Sequence, residues 1–348
     1  MNNAARSNNF DFLRFLFASL VIVTHAYALL GQLDNDPFNR VTGRAFSEIA
    51  VCGFFVISGF LIHQSLERSQ TLRSFLRKRL VRVFPGLVVV LLLSVLVLGP
   101  LLSTLSPAAY FLNPGTWKYL LGNIFLLPLY KDLPGLFSHN VETAVNGSLW
   151  TLRYEVLFYL LLCCFFRTPP RLKKLLFPLL FSLLTVAHLL IKYGYLPVPA
   201  SLGNHLYFFT SLGAYFSAGM TLSLFTGHLL NYRKTLFVLS AAVFTLSSLV
   251  WQRELFLFSM LSFPLMIITA GYLYVPALHF SRYTGDISYG TYIYAFPLQQ
   301  ALIVLFPALT PGNFLLPSLL LSWLLGLGSW HWVERRFLAP RRTEGLAA

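Results

Sequence analysis

Ten apolar runs of helix-spanning length follow one another in this chain, at 12–31, 47–66, 85–106, 148–167, 175–192, 206–226, 236–251, 255–274, 286–306 and 315–333. Each is bounded by proline, glycine or a charge cluster, and a bilayer core about 30 Å thick is crossed by about 20 apolar residues in a helix. Only 11% of the 348 residues are charged and 56% are hydrophobic. A soluble domain carries about 25% charged residues, so this much apolar surface cannot be hidden in one soluble core. The pattern predicts a single all-α integral membrane domain over 1–348, with about ten transmembrane helices. The run 236–251 is short and its turn, 252–254, is tight. The segment 117–130 is apolar but holds only 14 residues, with Pro128 among them. It is predicted to be one short re-entrant or interfacial helix.

The net charge of +14 would suggest nucleic acid in a soluble protein. Here the positive-inside rule accounts for much of it, and no nucleic-acid partner is expected. With the N-terminus in the cytoplasm and 117–130 not crossing, nineteen Lys and Arg fall on inner segments, from Arg6 through Arg233, Lys234, Arg341 and Arg342, against six on outer segments, Arg253 among them. The asymmetry predicts both termini in the cytoplasm. Cys52, Cys163 and Cys164 all fall in apolar segments and form neither a disulfide framework nor a spaced metal-ligand set.

The first run carries Asp11 and Arg14 near its start and His25 well inside. Eleven residues bring a helix back to within roughly 20° of the same face, about 16 Å further along the axis. One face therefore holds a cation at the membrane surface and an imidazole at depth, and ionisable groups at depth point to function. The competing reading is a hydrogen-bonded packing histidine. A signal peptide cut near Ala26-Tyr27-Ala28 fits less well, because the apolar run continues past the site and a polytopic chain follows. Glu155, on the run entered from outside near Ser148, is predicted at a depth similar to that of His25. The two could form an acid–base pair, or Glu155 could pair with a cation of another helix. Arg153, two residues away, points to roughly the opposite face. In FLRKRLVRVFPG, from Phe75 to Gly86, Arg77, Lys78, Arg79 and Arg82 precede the third run. Guanidinium forks suit phosphate, although any basic run beside a membrane can also bind lipid headgroups.

Five motifs occur in order: the Arg-x10-His spacing of Arg14 and His25, GFFVISGFLI from Gly53, FLRKRLVRVFP, GSLWTLRYEVLFYLL from Gly147, and GDISYGTYIYAFP from Gly285. In this combination the chain resembles the acyltransferase-3 family of membrane O-acyltransferases over about Asp11 to Glu334. The resemblance implies ten membrane helices, a cytoplasmic acyl-CoA donor with acetyl-CoA foremost, and transfer to a sugar hydroxyl of a surface or exported glycan. It also implies functional roles for Arg14 and His25, with Glu155 and the Arg79/Arg82 cluster as further parts. Many members read Tyr-Leu-Trp-His-x-Pro where this chain has Tyr292-Ile293-Tyr294-Ala295-Phe296-Pro297, so the role of that histidine is absent here or passes to a group such as Tyr294 or Gln299. Many also carry a fused extracytoplasmic SGNH-type domain. This chain is expected to act alone or with a separate partner.

The expected chemistry follows. Acyl-CoA is a donor substrate rather than a permanently bound cofactor, and Arg77, Arg79 and Arg82 would meet its phosphates. Ser58 is a small packing residue between Gly53 and Gly59 and a candidate donor contact. His25 would accept the proton of an attacking sugar hydroxyl, or be acylated itself as a relay. Trp150, Arg153, Tyr154 and Tyr292 are the candidate contacts to a glycan or lipid-linked saccharide. Trp117, Tyr119 and Tyr130 join the aromatic group at that end, which also suits a membrane interface. The alternative is a transporter or flippase without chemistry.

Overall fold

The computed structural model describes residues 8–250, 255–273 and 275–338. Arg6, the 252–254 turn with Arg253, and Arg341 and Arg342 lie outside the described residues. The protein is all-helical, with no strand among the described residues. α1 (Phe10–Ala28) is followed by the short α2 (Pro37–Thr42), then by α3 (Phe46–Glu67) and α4 (Leu72–Leu93). α4 continues through a π-helical stretch, Ser94–Leu98, into α5 (Gly99–Leu102). Short α6 (Pro107–Leu112) and α7 (Pro114–Phe125) and a long loop lead to α8 (Leu149–Cys163). α9 (Pro170–Lys192), α10 (Ala200–Ser223), α11 (Thr226–Leu249) and α12 (Phe256–Gly271) come next. The chain closes with α13 (Ser281–Thr284), α14 (Ser288–Leu305), α15 (Pro311–Ser329), a second π-helical stretch, Trp330–Glu334, and α16 (Arg335–Phe337).

Ten of these helices hold 15 or more residues, and each lies on one of the ten apolar runs. Among the described residues, five spans are long and apolar enough to cross a bilayer by themselves, and up to seven if each of two sharply bent pairs counts as one. α10 and α11 form one such pair, bent by 108°. The integral-membrane character thus rests on five to seven spans within a ten-helix set.

The segment 117–130 is short, as predicted. α7 has 12 residues, about 18 Å at 1.5 Å per residue, too short to cross. It ends where Leu126 takes a left-handed conformation, φ 60°. Asn123 closes the following loop, donating to the Tyr130 carbonyl at 2.9 Å and accepting its N–H at 3.1 Å. Two boundaries differ from the sequence reading. α4 begins at Leu72, not near 85, so the basic run is its first turns rather than a flanking loop. Thr71 caps it by accepting the Ser74 N–H at 3.1 Å, and the helix passes through Pro85. α11 begins at Thr226, so Arg233 and Lys234 are helical, beside a break in helical geometry at Tyr232.

α1 packs between α3, α14 and α15, and α3 packs along α10. At the α3–α10 crossing, Gly59 faces the Phe216 carbonyl and Gly219 faces the Val56 carbonyl, and a Cβ on either glycine would collide with that backbone. These small residues let the two helix backbones approach closely. At one end of the bundle the Asn9 N–H donates to the Gly271 carbonyl at 2.8 Å, Ser281 donates to Asp11 at 3.0 Å, and Glu334 meets Arg82 at 2.9 Å. The two extremities of the described chain therefore lie at the same end.

Candidate active site

Two cavities are stacked along the bundle axis, as residue numbers along α1 make plain. Arg14 lines one and His25 the other, about 16 Å apart along the helix at 1.5 Å per residue.

The arginine cavity, about 190 Å³, is walled by α1, α3, α4, α8 and α14, with Arg14, Ser58, Arg79, Arg82, Glu155 and Tyr159 among its polar groups. Its three arginines are not equivalent. Arg82 bonds Asp286 at 2.7 Å and Glu334 at 2.9 Å and lies over the rings of Tyr289 and Trp330. Arg14 bonds the same Asp286 oxygen at 2.6 Å, and Ser329 donates to Glu334 at 2.9 Å. Asp286, outside the helices, also accepts the Ser288 N–H at 3.3 Å and its hydroxyl at 2.5 Å. Burial alone would raise the Asp286 pKa. The guanidinium of Arg82, then that of Arg14, outweighs burial and holds the carboxyl at about 2. Arg79 makes no ion pair among the described residues, and its Nε is buried without a hydrogen-bond partner. It is the arginine left to meet a ligand. Tyr159 donates to Glu155 one turn earlier on α8.

The histidine cavity, about 300 Å³, is walled by α1, α3, α8, α10 and α14. Thr24 docks the start of α3 beside His25: its hydroxyl donates to Asp36 at 2.7 Å and accepts the Ser47 N–H at 2.9 Å. The His25 ring stands edge-on to Phe296 at 4.9 Å, and Gly147 leaves the room that the Phe296 ring occupies. The Nδ1 of His25 is buried with no partner. Trp150 packs against Phe208 at 4.5 Å, and both line the cavity with Ser47, Glu48, Ser148 and Ser211.

Val51 and Tyr292 line both cavities and so form the partition between them. The Tyr292 hydroxyl is fixed at 2.8 Å from the Thr151 hydroxyl and 3.2 Å from the Ser148 carbonyl.

Of the residues singled out in sequence, Arg14, Ser58, Arg79, Arg82 and Glu155 converge on the arginine cavity, His25 and Trp150 on the histidine cavity, and Tyr292 on both. The expected His25–Glu155 pair does not form. Counting residues put Glu155 at the height of His25, but it lies in the other cavity, on the Arg14 side of the partition, where it accepts from Tyr159. Arg77 is exposed and lines neither cavity. Arg153 and Tyr154 belong to the α8–α10 seam: Arg153 lies 3.0 Å from His205 Nδ1 and donates to the Tyr154 hydroxyl at 3.2 Å. Tyr154 in turn packs edge-on against Trp150, so it supports a cavity residue rather than lining the cavity. Tyr294 and Gln299, the groups considered for the missing histidine, line neither cavity. Gln299 donates to the Ile22 carbonyl at 3.1 Å. Asp286 lies just before α14 and accepts the Ser288 N–H, but its role as the carboxylate shared by two arginines comes from tertiary contacts. Tyr159 and Glu48 carried no sequence signal of their own.

A family model described as an acyltransferase domain matches residues 7–330. The O-acetyl transferase of Shigella phage Sf6 is 31% identical over 344 residues, 96% of each chain. Nodulation protein 10 of Rhizobium leguminosarum bv. viciae is 34% identical over 175 residues, 46% of this chain and 44% of its own. No solved structure matches. With the family model spanning nearly all its length, the chain belongs to the acyltransferase-3 family and is a membrane acyltransferase.

Proposed function

We propose that the protein transfers an acetyl group from acetyl-CoA, bound at the cytoplasmic end of the bundle, to a hydroxyl of an exported or surface glycan at the other end. The observation that carries this reading is the pair of stacked cavities sharing only the Val51–Tyr292 partition, one with the uncommitted guanidinium of Arg79 and the other with the unpartnered imidazole nitrogen of His25. Arg79 would meet CoA phosphate, since a guanidinium binds phosphate through paired N–H donors. The pantetheine chain would extend along the axis and carry the thioester to the partition. On the far side, an unprotonated His25 accepts the proton of a sugar hydroxyl as its oxygen attacks the thioester carbonyl. The C–S bond then breaks, the C–O bond of the ester remains, and the CoA thiolate leaves and takes up a proton. The similarity to an O-acetyl transferase supports acetyl as the group moved. In the sequence, nineteen basic residues on the inner segments against six on the outer ones support the Arg79 end as cytoplasmic with both termini inside, and the family resemblance supports a bacterial inner membrane.

The test compares acetyl content of the surface glycan in a deletion strain, its parent, and the deletion strain carrying wild-type or His25→Ala protein. Acetyl should be lost on deletion and restored by the wild type alone. Restoration by His25→Ala at comparable membrane abundance would overturn the role of His25, and unchanged acetyl content on deletion would overturn the acceptor class.

A further inference from the structure

Among the described residues lining the histidine cavity, Glu48 is the one carboxylate. The cations nearest to it stand behind the wall. Arg44, only 2% exposed, bonds Glu48 Oε1 through Nε at 3.0 Å and Nη2 at 2.9 Å, and reaches Ser259 at 3.3 Å. Both bonds fall on one oxygen, so the other oxygen of a half-exposed carboxylate remains for the cavity. The rest of the lining includes the His25 imidazole, the hydroxyls of Ser47, Ser148 and Ser211, and the rings of Trp150 and Phe208, tilted against each other at 4.5 Å. An ionised carboxylate accepts hydrogen bonds and donates none, so it suits hydroxyl groups and repels a second anion.

We propose that Glu48 is the acceptor-binding residue of this cavity, that it accepts hydrogen bonds from sugar hydroxyls next to the one being acylated, and that it restricts the acceptor to uncharged sugar units, excluding uronate-type and other anionic ones. The proposal rests on reading the histidine cavity as the acceptor site. Arg44 fixes the carboxylate from behind, and Trp150 offers a flat apolar face for a ring.

The charge of the wall can be read without any acyl chemistry. Ser211→Cys, in protein with Cys52, Cys163 and Cys164 replaced by serine, places a thiol on the wall formed by α10. Its reaction rates with a trimethylammonium-ethyl and a sulfonatoethyl methanethiosulfonate are compared, each corrected for the rate with free mercaptoethanol. The cationic reagent should be favoured about tenfold, and Glu48→Gln should remove most of that preference while Glu48→Asp keeps it. If Glu48→Gln costs Arg44 this carboxylate and the protein fails to fold, the double variant Arg44→Gln/Glu48→Gln removes both charges and should shift the ratio in the same direction. A ratio near one in the parent, or a ratio unmoved by Glu48→Gln or the double variant, overturns the proposal. A second measurement follows transfer from labelled acetyl-CoA to methyl glucopyranoside and to methyl glucopyranosiduronate, which differ by one carboxylate. The neutral glycoside should be preferred, and Glu48→Gln should raise its KM about tenfold and narrow the preference. A wild type that prefers the uronate, or a preference that Glu48→Gln does not change, also overturns it. Because the reagent ratio needs no donor, it stands or falls separately from the transferase reading.

Discussion

The two residues that differ most in what surrounds them are Arg79 and Arg82, although they sit one turn apart on α4. Arg82 is tied to Asp286 and Glu334, whereas Arg79 has no ionic partner among the described residues. Arg79→Gln should therefore raise the KM for acetyl-CoA about tenfold with little change in thermal stability. Steady-state kinetics in detergent, beside a melting curve, separates the two effects, and an unchanged donor KM would remove Arg79 from the donor site. Arg82→Gln should act mainly on stability, by about 3 kcal/mol, because it leaves buried Glu334 without its countercharge. For His25, substitution by Gln keeps a polar group of similar size without a basic nitrogen, and transfer should fall by at least about a hundredfold. At this scale the sequence made Arg14 and His25 legible, because depth in an apolar run singles out an ionisable group. It could not rank the arginines of the basic run, nor find Glu48 or Tyr159, because those roles come from partners distant in the chain or from which wall a helix turn faces.

Elements are held by two devices. One is close backbone approach: Gly59→Val should lower the melting temperature sharply by forcing α3 off α10, while Gly203→Ala, with nothing within 4 Å of the added Cβ, should be neutral or gain up to about 1 kcal/mol. The other is the carboxylate junction, where Asp286 and Glu334 bind α1, α4, α14 and the end of α15 through Arg14 and Arg82. The Asp286 carboxyl is depressed from 3.8 to about 2 in the folded protein. A depressed acid stabilises above its unfolded value, and that contribution is lost as pH falls through the folded value. Asp286→Asn should therefore be less stable than wild type at pH 7, and the difference should shrink between about pH 4 and 2. A pH-independent difference would show that packing, not charge, sets the effect. The helix set was legible from apolar periodicity and length. The start of α4 was not, since the four cations Arg77, Lys78, Arg79 and Arg82 interrupt the apolar pattern although they are good helix formers, and the helix continues through them.

For the whole molecule, the consequence is a division of labour across one partition. The separation of Arg14 and His25 along the bundle could be read by counting residues on one helix, whereas counting put Glu155 at the height of His25 and the structure puts it in the Arg14 cavity. The division into two cavities could not, because it depends on Val51 and Tyr292 meeting between helices that are far apart in the chain. The division makes the central claim a statement about sidedness: the donor is used at the Arg79 end and the ester forms at the His25 end. The direct measurement uses sealed inverted membrane vesicles with labelled acetyl-CoA outside and the native glycan acceptor in the lumen. The account predicts label in lumenal glycan, free CoA outside, and neither with His25→Ala. Label confined to externally accessible glycan, or lumenal label that persists with His25→Ala, would contradict it.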